Sequence, residues 1–127
     1  MELTAFLREN AGEFPQKTVT LSERLGEFTV RCLTADEDAE LRERCTVRIS
    51  DGRGGSFPEV DPNRYLLAVA AASVVTPDLS DAALQDSYQT VGREETLVAM
   101  LMKPEFDRLC EFLTVEGFAD LVDRAKK

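Results

Sequence analysis

The sequence predicts an α+β fold, mainly α, in which an N-terminal β-hairpin or small antiparallel sheet packs against a bundle of about five or six helices. Three observations lead there. Stretches that alternate polar and apolar residues and are rich in β-branched types are confined to the first fifty residues. The longest apolar run, Tyr65 to Val75, fits a buried helix and falls short of the roughly 20 residues that span a bilayer. Beyond Pro104 the apolar residues recur at i, i+3, i+4 and i+7, the period of an amphipathic helix.

Taken in order, Leu3, Phe6 and Leu7 have helical spacing, and a short helix is expected to end near Asn10-Ala11-Gly12, where glycine can adopt the left-handed cap. Lys17 to Leu21 and Glu27 to Leu33 read as strands, with Arg24-Leu25-Gly26 as their turn. Thr34 and Glu37 match a capping box, and Asp36 and Asp38 place charge favourable to the dipole of a helix from about Ala35 to Arg44. Thr46 to Ile49 is a candidate third strand. Ser50 to Pro58 holds three glycines and a proline, so its backbone is costly to order and reads as a mobile loop.

Asp61-Pro62 is a helix start, because Asp can cap free amides and Pro at the first helical position lacks one. The alanine-rich run from Tyr65 to Val75 is apolar all round and is expected to be the central, most buried helix. Thr76-Pro77 stops it, Ser80 can cap a short helix carrying Leu84 and Tyr88, and Gly92 precedes a helix from Arg93 to Met102. Pro104 opens another with Phe106, Leu109, Cys110 and Leu113 on one stripe. After Gly117 the series Phe118, Leu121, Val122 and Ala125 repeats it.

The 127 residues suit a single domain covering 1–127, and 43% hydrophobic residues allow a real core. The net charge of -9 is dispersed: Met1 to Asn63 carries 8 basic and 13 acidic residues, and Arg64 to Lys127 carries 7 and 11. No basic cluster exists to displace counterions from phosphates, so nucleic acid is not an expected partner, and no membrane segment is seen. Dispersed negative charge serves solubility. Three cysteines, without histidine or C-x-x-C spacing, exclude a zinc set; Cys32, in an apparent strand, and Cys110 read as buried thiols of a reducing compartment.

Catalytic chemistry is hard to place. With no histidine, carboxylates would have to act alone, and the densest group, Asp36 to Glu40, is explained by the helix dipole. Asp86-Ser87-Tyr88 holds an acid, a hydroxyl and a phenol, but neighbours on a helix point about 100° apart. Gly52 to Ser56 lacks the ending of a P-loop. No enzyme and no cofactor are expected. A carboxylate-dependent hydrolase would need converging acids in a cleft. An acidic phage-encoded inhibitor or DNA mimic that binds a host protein would need a one-sided acidic stripe.

The stretch from Asp61 to Leu101 resembles the XkdN-like phage tail assembly chaperones of long-tailed phages and defective prophages. Asp61, Asn63, Tyr65 and Leu66 match its Asp-x-Asn-Lys-Tyr-Leu stretch, with Arg64 in place of Lys. Ala70 to Val75 matches an alanine-valine run. Pro77, Asp78 and Leu79 follow it, and Leu84, Gln85, Asp86, Ser87 and Tyr88 match the most distinctive block, continued by Gly92, Glu95, Met100 and Leu101. The chain departs from the family at Lys103-Pro104-Glu105, where relatives often have Pro-Gly-Glu, and in its glycine-rich loop.

This resemblance implies a cytoplasmic, non-enzymatic chaperone in the bacterial host, absent from the mature virion. Its implied partner is the tape measure protein, with the tail tube protein as a second candidate. A homo-oligomer would gain avidity along such a partner. The expected contact residues are the exposed members of the set Met100, Met102, Phe106, Leu109, Leu113, Phe118, Leu121 and Val122, with the glycine loop as an accessory.

Overall fold

A computed structural model describes residues 3–7 and 16–113 of the chain. Strands β1 (Gln16–Ser22) and β2 (Gly26–Arg31) form the expected hairpin, with Val19 opposite Phe28 and a bulge between Thr20 and Ser22. Gly26 closes the turn at φ +76°, a conformation that costs glycine little. Strand β2 ends at Arg31, so Cys32 lies just beyond it and is half-buried; Cys45 and Cys110 are buried.

Helix α1 (Ala35–Arg44) has the expected bounds and both halves of its capping box. Thr34 Oγ1 accepts from the Glu37 amide at 3.1 Å, and the Glu37 carboxylate accepts from the Thr34 amide at 2.9 Å. Strands β3 (Thr46–Ser50) and β4 (Ser56–Val60) form a separate two-stranded ribbon. Two expectations are corrected here. Thr46 to Ile49 is a strand but does not join the first hairpin, and the glycine loop shrinks to a hairpin turn. One Asp51 oxygen accepts from the amides of Arg53 and Gly55, which supplies locally the order that the glycines lack.

Helix α2 (Pro62–Ser73) starts as expected: Asp61 accepts from the amides of Asn63 and Arg64, and Pro62 follows. It buries Tyr65, Ala68, Val69, Ala70, Ala71 and Ser73 and passes against α1 and the two long C-terminal helices. It stops two residues early. Val74–Thr76 forms strand β5, which pairs antiparallel with β2 to give the sheet order β1-β2-β5. The third strand of the main sheet is thus the end of the run expected to be helical. Two β-branched valines and a threonine before a proline favour extended backbone, and β2 offers an edge to pair with.

Helix α3 (Ala82–Ser87) is capped by Asp81 rather than Ser80. Asp81 accepts from the Leu84 amide, while Ser80 is held in a turn by Asp78. Helix α4 (Arg93–Met100) ends before Met102, since Leu101 is extended and Met102 opens α5 (Lys103–Leu113). The core lies between the main sheet and the helices. Leu21, Phe28 and Val30 meet Tyr65, Val69, Leu79, Leu97, Leu109 and Leu113, all at most 1% exposed. At the N-terminus, Leu3–Phe6 forms one turn of 3₁₀ helix with no buried residue; the expected end of that helix near Gly12 lies outside the described residues.

Candidate partner-binding surface

The residues from Asp61 to Gly92 that match the tail chaperone pattern mostly build backbone. Asp61 caps α2, with Asn63 donating to it, and Leu66 is half-buried one residue past Tyr65. Pro77 follows a cis peptide bond, Asp78 holds the Ser80 amide, and Leu79 is fully buried. The Leu79 carbonyl accepts from the Gln85 side chain at 2.8 Å, while Leu84 packs on the core. Asp86 contributes its carbonyl to the turn after α3, Ser87 is the exposed last residue of that helix, and Tyr88 is its C-cap. Gly92, at φ +107°, starts α4 and receives both the amide and the hydroxyl of Thr96. Residues 86–88 serve the helix end through their backbone, and the Tyr88 side chain packs against the core.

Two polar clusters tie distant elements together. On α1, Asp38 takes a hydrogen bond from the Tyr65 hydroxyl and pairs with Arg42 at 2.8 Å, whose guanidinium lies 4.8 Å from the Tyr65 ring centroid. Burial, then the Asp38 charge, holds the Tyr65 hydroxyl protonated well above the ordinary phenol range. At the start of α5, Glu105 receives Arg24, Ser22 and the Met102 amide. Those donors, Arg24 foremost, pull its carboxyl from 4.5 to about 2. Glu37 is drawn down likewise to about 2 by Arg31 and the Thr34 amide. Among the described residues, Asp38, Glu37, Glu94, Glu105 and Asp107 are each paired with a basic side chain.

The expected contact set divides. Met100, at the end of α4, is a core residue, as are Leu109 and Leu113, on the stripe of α5 that closes on β1 and α2. Phe106 is half-buried against the core, and Met102 is 54% exposed. Phe118, Leu121 and Val122 lie outside the described residues. Between α2 and α5 runs a groove of about 430 Å³ lined by Asn63, Leu66, Lys103, Asp107, Cys110 and Glu111. Sequence reasoning missed other exposed apolar side chains: Val91, Val98 and the facing pair Ile49 and Phe57. For the last pair, a signal existed in the alternation of Val47, Arg48 and Ile49.

Among the described residues, no cluster of His, Cys, Asp or Glu is placed to hold a metal ion, and no helix is long and apolar enough to cross a membrane. The fold and surface define a small α+β protein whose polar side chains serve helix ends and inter-element ties, with apolar groups left on the outside. The sequence model of the phage XkdN-like tail assembly chaperone proteins matches residues 3–126, and the chain belongs to that family. Among solved structures, that of the protein yqbn is similar in fold, with a TM-score of 0.69 at 18% identity over 92% of this chain and 97% of that one. No curated protein matches the chain.

Proposed function

We propose that this tail assembly chaperone binds the tape measure protein, keeps it soluble in the cytoplasm of the host bacterium and helps tail tube subunits assemble around it, leaving before the virion is complete. The observation that carries this reading is the family match across nearly the whole chain, from residue 3 to 126. The surface supports it. Met102 and Val98 stand exposed, and the groove between α2 and α5 joins the apolar Leu66 to charged rims at Lys103, Asp107 and Glu111. Such a surface suits an amphipathic helix, which buries its apolar face in a groove and meets charge at the edges. The reading assigns no reaction and no cofactor.

Co-expression with the tape measure protein of the same phage tests it. The expected result is a higher soluble yield of that protein and co-purification of the two chains. An insoluble tape measure protein that leaves no trace on the purified chaperone overturns the reading.

A further inference from the structure

The β3-β4 ribbon has two different edges. Asp61 donates to the Cys45 carbonyl and Asp51 to the Gly55 carbonyl, which makes 45/61 and 51/55 hydrogen-bonded pairs. By the alternation of an antiparallel ladder, 47/59 and 49/57 are hydrogen-bonded pairs too, and residues 46, 48, 50, 56, 58 and 60 turn their amides and carbonyls outward. On the β4 side that outward edge is blocked. Pro58 has no amide to offer, and the Ser56 carbonyl is taken by Arg48 Nη2 at 2.9 Å. On the β3 side, no described residue bonds the outward backbone groups of Arg48 and Ser50, next to the exposed cross-strand pair of Ile49 and Phe57.

We propose that a second copy of this chain adds to the β3 edge, giving a four-stranded antiparallel sheet in the order β4-β3-β3-β4 about a twofold axis. One open and one blocked edge per copy closes such an assembly at two chains, where two open edges would propagate. The register follows from charge and apolar pattern. Centring the axis on Arg48 would set two guanidinium groups directly opposite each other, which is unfavourable. Centring it on Ile49 sets Arg48 against Ser50 of the second copy, forms four backbone hydrogen bonds, and aligns Phe57, Ile49, Ile49 and Phe57 as one apolar row across the sheet.

Sedimentation of the full chain across micromolar to millimolar concentrations tests the proposal together with an edge variant, its control and a cross-link. Against Arg48→Ala, which loses the same side-chain bonds to Ser56, Arg48→Pro also removes the outward amide, at a position whose opposite neighbour is already proline, so the ribbon survives while the edge is lost. The expected result is a monomer-dimer equilibrium that this variant weakens roughly tenfold or more. Mild oxidation of Ile49→Cys should yield a disulfide between two copies at position 49, since directly opposed residues of a non-hydrogen-bonded pair come close enough to bridge. Ser50→Cys, with Arg48 opposite it, should not cross-link. A chain that stays monomeric at millimolar concentration overturns the proposal. So does a dimer indifferent to Arg48→Pro, or one that forms no link through position 49.

Discussion

Arg24, in the turn between β1 and β2, grips both carboxylate oxygens of Glu105 at the start of α5, with Nε at 3.0 Å and Nη2 at 2.6 Å. Glu105 is 3% exposed, and the same Nη2 also donates to the Met100 carbonyl, so one guanidinium fastens the hairpin to the junction of α4 and α5. Removing the carboxylate strands a cation and frees two further donors, the Ser22 hydroxyl and the Met102 amide. Glu105→Ala is expected to lower the Tm clearly, whereas Asp107→Ala, which breaks the exposed i,i+4 pair with Lys103, is expected to leave it nearly unchanged. Thermal unfolding by circular dichroism compares the two.

The carboxyls of Glu105 and Glu37 are both held near 2, below their ordinary value of 4.5. A carboxyl whose folded pKa lies below its unfolded one contributes stability that is present above the unfolded value and is lost as pH falls through the folded one. Urea midpoints are therefore expected to fall between about pH 5 and pH 2. Glu105→Gln should make that fall shallower, and a pH dependence as steep as that of the parent chain would contradict the assignment.

Tyr65→Phe keeps the buried ring beneath Arg42 and deletes only the hydroxyl that donates to Asp38. Asp38 retains Arg42, and the expected loss is about 1.5–3 kcal/mol in urea unfolding, the range for a hydrogen bond to a charged group.

Ser73, the last residue of α2, is fully buried, and its hydroxyl has no hydrogen-bond partner among the described residues. An unmade bond at a buried site costs the desolvation of the group, so Ser73→Ala is expected to raise stability by about 1 kcal/mol with the urea m-value unchanged.

If the apolar surface beside α2 and α5 receives the tape measure protein, Met102→Asp should reduce co-purification while leaving the Tm of the free chain within error. Leu109→Asp should instead unfold the chain, because that side chain is wholly inside. A Met102→Asp variant that captures its partner as well as the parent does would move the contact elsewhere.

Much of the local structure was legible in the chain. Thr34 with Glu37, Asp61 with Pro62 and Gly92 before Arg93 mark helix starts that the structure reproduces, because each rests on hydrogen bonds or backbone conformations within a few residues. The errors arose where local preferences were balanced. Val74 to Thr76 suits either a helix end or a strand, and only the presence of β2 alongside decides it. Ser80 and Asp81 are both good caps, and the turn that Asp78 makes with Ser80 leaves the role to Asp81.

The sequence by itself determined the α+β class, the helix caps, the hairpin, the missing histidine and the resemblance that named the family. The tertiary structure decided which apolar residues face inward. Met100 and Met102 read alike in sequence, yet one is 4% and the other 54% exposed. It also decided that β3 pairs with β4 rather than with the first hairpin, and that Glu105 meets Arg24 across 81 residues. Periodicity records that a face is apolar, but the partner of that face, or of a charge, depends on where the rest of the chain packs.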